Sequence, residues 1–189
     1  MSGKYSISRE DILPIEAYGA ERAHHRRTVI ALKRPRRLEV GPIAAFYFEN
    51  YATMLSQIQE MLWIEKGGEA QIADELAAYN PLIPQGQELV ATLMFEIADP
   101  DRRLALLSRL GGVEDTVSLE VAGGKIAGVA VREDGVERTR ADGKTSSIHF
   151  IRFPFQADQI AAFREPDARI VAAIDHPEYA HMAVMPQAM

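Results

Sequence analysis

The sequence predicts an α+β protein in which N-terminal helices pack on a C-terminal antiparallel β-sheet. Three observations carry that prediction. Apolar residues recur at helical spacing up to residue 86. Alternating and branched apolar runs follow from residue 87. Between the two textures lies the rigid connector Asn80-Pro81-Leu82-Ile83-Pro84-Gln85-Gly86. With 189 residues, 47% hydrophobic and 25% charged, the chain reads as one domain over 1–189, its helical part about 1–86 and its sheet part about 87–189.

The first helix is expected from Pro14 to Leu32. Pro14 suits a first-turn position, and Ile15, Tyr18, Arg22, Val29 and Leu32 form a loose stripe. Pro35 ends it, because proline disfavours helical geometry in its predecessor. Arg37 to Val40 is extended, and Gly41-Pro42 then reads as the start of a second helix running to Lys66. On that helix Tyr47, Tyr51, Met54, Ile58, Met61 and Leu62 share a sector about 100° wide, the expected core face. A third helix spans Ala70 to Tyr79.

Beyond the connector, Leu89 to Ile97 is a strand candidate and Arg102 to Leu110 a short helix opened by Asp99-Pro100. Thr116 to Val121 and Ile126 to Val131 read as a hairpin about Gly123-Gly124. A polar loop with Gly135 and Gly143 precedes a strand at Ser146 to Phe153. A helix over Ala157 to Phe163 follows, then a last hairpin from Ile170–Ile174 and Tyr179–Val184.

Composition excludes several function classes. The chain has no cysteine, which removes disulfides, thiolate zinc sites, cysteine-ligated clusters and cysteine nucleophiles. A net charge of −6 argues against a nucleic-acid binder that uses its whole surface. No apolar run reaches membrane-spanning length, and the first residues lack a secretory pattern, so no membrane association is expected and the expected compartment is the cytoplasm. Nucleophile elbows, dinucleotide-binding and phosphate-binding glycine loops, and His-Glu-x-x-His are all absent.

Three groups of residues remain as candidate sites. The first is a polar stripe beside the core face of the second helix: Glu49, Asn50, Thr53, Gln57 and Glu60. Glu65 falls inside the apolar sector and needs a partner, with Arg26, Arg27 and Arg152 as candidates. Amides and carboxylates without Lys or Arg suit either a ligand-facing surface or a buried network that pins the helix. A di-iron bundle is excluded, since no Glu-x-x-His occurs and Glu49 and Glu60 stand about 16 Å apart along a helix. The second group is histidine. His176 and His181 bracket a four-residue loop, and His149 is a further imidazole that suits zinc, iron or nickel. The plainer alternative is a hydrogen-bonded turn stiffened by Pro177, and no cofactor is expected beyond such a metal. The third group is basic: Arg22, Arg26, Arg27, Lys33, Arg34, Arg36 and Arg37. Residues 1–42 carry +4 and the remainder −10. This patch fits RNA, an acidic partner or a phosphate-bearing ligand, or is a solvated helix face, and the lack of interleaved aromatics argues against single-strand binding.

Long motifs also point to a family. Phe48-Glu49-Asn50-Tyr51-Ala52-Thr53-Met54, Gln57-Ile58-Gln59-Glu60-Met61 and Ile64-Glu65 resemble the bacterial domain-of-unknown-function 3501 family. So do Glu75 to Pro84, Ala91 to Ile97, Lys33 to Gly41, Phe150 to Phe153 and Asp175 to His181. The family has no assigned activity, and the resemblance transfers no catalytic residue. It implies a redox or oxidative-stress context, with rubrerythrin-like or iron–sulfur proteins as expected partners. The leading expectation is therefore a non-catalytic accessory factor. The alternatives are a small-molecule or metal-binding protein, or an RNA binder.

Overall fold

Helix α1 covers Ile15–Lys33, one residue later at each end than the expected Pro14 to Leu32. After a turn at Arg34–Arg36 come strand β1, Arg37–Val40, and strand β2, Ala44–Phe48. Here the structure corrects the expected second helix. Residues 44–48 pair with β1 across a tight turn, Val40 opposite Ala44, and Gly41 takes a φ of +74° that favours glycine. Four of the five β2 residues are buried, so the run Ala-Ala-Phe-Tyr-Phe is apolar on both faces and fills a sheet interior. Helix α2 begins only at Tyr51 and ends at Glu65. Its start is fixed by Asn50 and Thr53: Asn50 Oδ1 accepts from Thr53 N, and Thr53 Oγ1 accepts from Asn50 N, both at 2.9 Å.

Helix α3 spans Gly68–Tyr79 and leads through the proline connector into β3, Glu88–Phe95. Helix α4, Pro100–Leu107, is capped by Asp99, which accepts from Arg102 N. The remaining elements are β4 (Val117–Val121), β5 (Gly124–Ala127), β6 (Val129–Ala130), β7 (Ile148–Pro154), α5 (Ala157–Phe163), β8 (Ile170–His176) and β9 (Tyr179–Val184). This computed structural model describes residues 4–131 and 138–189, so the loop expected around Gly135 lies outside the described residues.

The strands form two antiparallel sheets rather than one. Sheet one has the order β1-β2-β3-β7-β6, and sheet two β5-β4-β8-β9. The chain passes from one sheet to the other at Gly128. A Cβ there would meet Val117 Cγ2 at 2.5 Å and Ile151 Cγ2 at 2.7 Å, so the sheets close around a residue with no side chain.

Alternation along β3 sorts its residues into two cores. Ala91, Leu93 and Phe95 face sheet two, with Phe46, Ile151, Phe153, Leu119 and Ile174. Val90 faces the helices, with Met54, Ile58 and Leu62 of α2 and Ile72 of α3. The layers are therefore helices, sheet one, sheet two. Tyr179 ties the two sheets at one edge. Its hydroxyl donates to Val40 O at 2.7 Å and accepts from Ile43 N and Ala44 N at 3.2 Å.

Candidate functional site

Glu49 is the residue between the end of β2 and the cap of α2. Its amide donates to Val90 O at 2.8 Å, which extends the strand ladder by one position. By strand parity its side chain lies on the helix-facing side of sheet one, with Ala45 and Tyr47. Thr92, paired with Tyr47, is its diagonal neighbour across the ladder. The Thr92 hydroxyl donates to Glu49 Oε1 at 2.7 Å. Oε2 is buried and has no hydrogen-bond partner. The residue is only 6% exposed.

Glu49 lines a cavity of about 340 Å³ between α2 and sheet one. Its walls are Met54 of α2, Tyr79 of α3, and Met94, Ile148 and Phe150 of the sheet. Gln57 and Lys33 also line it. Among the described residues neither has a hydrogen-bond or ion-pair partner, and no ion pair joins Lys33 to Glu49. The Tyr47 hydroxyl, at the same cavity, is already engaged. It donates to Glu96 and accepts from Arg37 Nε at 2.8 Å. The Arg37 guanidinium holds the Glu96 carboxyl below its usual range, while burial pushes the Tyr47 phenol up.

The rest of the expected polar stripe divides into structural roles. Asn50 and Thr53 are the helix cap. Glu60 accepts from Arg22 Nε at 2.9 Å and Nη2 at 2.8 Å, and from the Tyr18 hydroxyl, which pins α1 to α2. Those donors, Arg22 first, lower the Glu60 pKa. Glu65 is exposed and accepts from Gln71 Nε2 at 2.7 Å, so none of the arginines expected for it is its partner. It stands in the last turn of α2, where the core face has already run out.

The histidines sit in three different environments. The turn of the last hairpin has two residues, not four, so His176 opposes Tyr179 and His181 opposes Ile174. His176 Nδ1 accepts from Glu178 N, and its Nε2 lies 3.2 Å from Gly111 O. His181 is exposed and packs on the Tyr179 ring. His149 is 1% exposed, with Nε2 3.0 Å from Ser146 O and Nδ1 3.7 Å from Glu114 Oε2. Burial lowers its pKa, against the pull of Glu114. Among the described residues no group of three or more His, Asp or Glu is arranged to hold a metal ion.

Of the basic patch, Arg22 and Arg37 are taken up in ion pairs, Lys33 lines the cavity, Arg36 is half-buried, and Arg26, Arg27 and Arg34 are exposed. No helix among the described residues is long and apolar enough to cross a membrane. A larger groove of about 650 Å³ runs past Leu13, Ile15, Leu62, Trp63 and Ile72. Of its rim charges Arg9 and Glu69 are paired, at 2.5 and 2.9 Å, Glu16 and Lys66 are exposed to solvent, and no buried unpartnered polar atom lines it among the described residues.

Sequence reasoning missed the sheet half of the cavity. Thr92, Met94, Ile148 and Phe150 were legible only as strand residues. The available signal was Thr92, a lone hydroxyl inside the apolar run Leu89 to Phe95.

The pattern of the whole chain decides the family: the model of a protein family of unknown function, DUF3501, matches residues 6–189. The chain belongs to the DUF3501 family. A crystal structure described as a novel protein of unknown function, from Burkholderia pseudomallei K96243, is similar to this DUF3501 chain at 35% identity. It covers 97% of this chain and 94% of its own, with a TM-score of 0.87. No curated protein matches the chain.

Proposed function

We propose that this protein binds a small molecule in the cavity between α2 and sheet one, with Glu49 as the polar anchor. One observation carries the reading: a carboxyl group that is 6% exposed has a hydrogen bond to one oxygen and none to the other. An unsatisfied buried acceptor costs about 1–3 kcal/mol. A wall shaped for stability alone would carry an apolar residue there. Apolar walls with a few convergent polar groups are the usual form of a small-molecule site, and about 340 Å³ lies at the lower end of the range for such cavities. The exposed Arg26, Arg27 and Arg34 offer no comparable feature for RNA or for a redox partner, because solvated charges on a helix face are the ordinary condition of a surface.

The test is a fragment screen by amide NMR with small amines, amides and alcohols. Binding should shift the signals of Gln57, Thr92 and Met94, and Gln57→Phe, which puts a bulky ring on the cavity wall, should abolish the shifts of Thr92 and Met94. Fragments that bind only elsewhere, or shifts that survive Gln57→Phe, would overturn the proposal.

A further inference from the structure

We infer that the ligand is a zwitterion, an α-amino acid with an apolar side chain, held by its ammonium on Glu49 and by its carboxylate on Lys33. The inference rests on the cavity reading above and adds the chemical class of the occupant.

The argument begins with charge. Among the described residues the cavity wall carries one acidic side chain, Glu49, and one basic side chain, Lys33. No ion pair joins them, and among the described residues neither has any other ionic partner. Arg22 of α1, by contrast, is paired with Glu60 of α2, while Arg26 and Arg27 of α1 stand exposed to solvent. Charges withdrawn from water are normally paired, because a low-dielectric surrounding makes an isolated charge costly. Glu49 is withdrawn from water and Lys33 half-buried, so a buried acid and a half-buried base on one small cavity suit an occupant that carries both complements. A simple amine would leave Lys33 unanswered, and a simple acid would leave Glu49 unanswered.

Geometry assigns the ends. The carboxyl is the fixed end. Glu49 follows the last β2 residue, its amide is in the ladder, and Thr92 holds Oε1 at 2.7 Å. Oε2 has no partner, so the carboxyl keeps acceptor capacity for an incoming N–H. Lys33 is the adjustable end. It is the last residue of α1, half-buried, on a flexible four-carbon stem that can follow a carboxylate. Gln57, also without a partner, supplies a neutral donor and acceptor beside them.

The remaining wall selects the body of the ligand. Met54, Met94, Ile148 and Phe150 present thioether, aliphatic and aromatic surface. Methionine walls adapt to differing apolar shapes, and sulfur packs well against rings. A phenylalanine- or methionine-sized side chain suits a cavity of about 340 Å³, whereas a further charge on the ligand would meet no partner there.

The test uses the full chain and isothermal titration calorimetry with L-phenylalanine, phenethylamine and 3-phenylpropanoate, which share one body and differ in their charged ends. L-Methionine serves as a second amino acid. The amino acids should bind at least tenfold tighter than either truncated compound. Glu49→Gln should weaken phenylalanine and phenethylamine at least tenfold and leave phenylpropanoate unchanged. Lys33→Gln should weaken phenylalanine and phenylpropanoate and leave the amine unchanged. Equal affinity for phenethylamine and phenylalanine, with no effect of Lys33→Gln, overturns the zwitterion and leaves the cavity reading standing. No binding of any probe at millimolar concentration also overturns it, and the fragment screen then decides the cavity separately. If Glu49→Gln fails to fold, the three ligands on the native chain and on Lys33→Gln still decide the matter.

Discussion

The buried Glu49–Thr92 pair makes a quantitative prediction about stability that separates a binding role from a structural one. Glu49→Leu exchanges the carboxyl for an apolar group of similar size and removes the orphan Oε2. It also leaves the Thr92 hydroxyl, 7% exposed, without its acceptor. Each unsatisfied buried group costs about 1–3 kcal/mol, so in the single variant the gain and the loss nearly cancel. Thr92→Val acts the other way, because it leaves both Glu49 oxygens without donors, and it should lose about 1–3 kcal/mol. The double variant Glu49→Leu/Thr92→Val removes both polar groups together and should gain about 1–3 kcal/mol over the native chain. The order of stability is then double variant, native and Glu49→Leu together, and Thr92→Val last. Urea unfolding at pH 7, run as a double-mutant cycle, measures all four. A double variant less stable than the native chain by 1 kcal/mol or more would refute the reasoning. It would show that the carboxyl holds the fold, and the motive for placing a ligand on it would disappear.

Two further predictions address the framework around the site. Gly128→Ala places a Cβ at 2.5 Å from Val117 Cγ2 and 2.7 Å from Ile151 Cγ2, where the chain changes sheets. Overpacking of this kind costs about 1–3 kcal/mol, read as a lower urea midpoint, and an unchanged midpoint would remove the tight closure inferred there. His149 has a folded-state pKa below its ordinary 6.5, chiefly through burial. Its unfolded form therefore takes up a proton that the native form resists, and its contribution to stability is present above about pH 6.5 and is lost as pH falls below it. The urea midpoint should drop between pH 7.5 and pH 5.5, and His149→Gln should flatten that drop. An equal slope in the variant would assign the acid sensitivity to other groups.

What the sequence made legible follows from how local each signal is. The core face of α2 was readable because Met54, Ile58 and Leu62 repeat at helical spacing, and all three are buried. The bounds of α5 and of β9 came out as expected, whereas the turn of the last hairpin is two residues and not four. The start of α2 was misread because Tyr47 falls in the helical sector as well as it falls on a strand face. Five apolar residues in a row, Ala44 to Phe48, carry no period of their own. Only pairing with β1 and β3, contacts made by residues 37–40 and 91–95, decides their state. Sheet number was hidden for a related reason. The hairpin after Gly123 reads as one strand through Val131, and the switch at Gly128 depends on Val117 and Ile151 crowding that position in space.

The same correction is what isolates the site. On a continuous helix, Glu49 belongs to a stripe with Glu60, Gln57 and Thr53, and one role would serve all of them. Ending β2 at Phe48 breaks the stripe into parts with different neighbours. Glu60, well inside α2, meets α1 and finds Arg22. Thr53, in the first turn, closes the cap with Asn50. Glu49 alone remains on the sheet, where a side chain on the helix-facing side points between layers. The neighbours there are Thr92 on the ladder and the underside of α2, and among the described residues the bond made to the carboxyl comes from the hydroxyl of Thr92. A longer β2 would have carried the carboxylate to the sheet edge and water. An earlier helix start would have turned it onto the surface of α2. The two-residue junction Glu49-Asn50 is therefore the cause of the unpartnered oxygen, and replacing its acidic residue should change the cavity without disturbing the cap that Asn50 and Thr53 maintain.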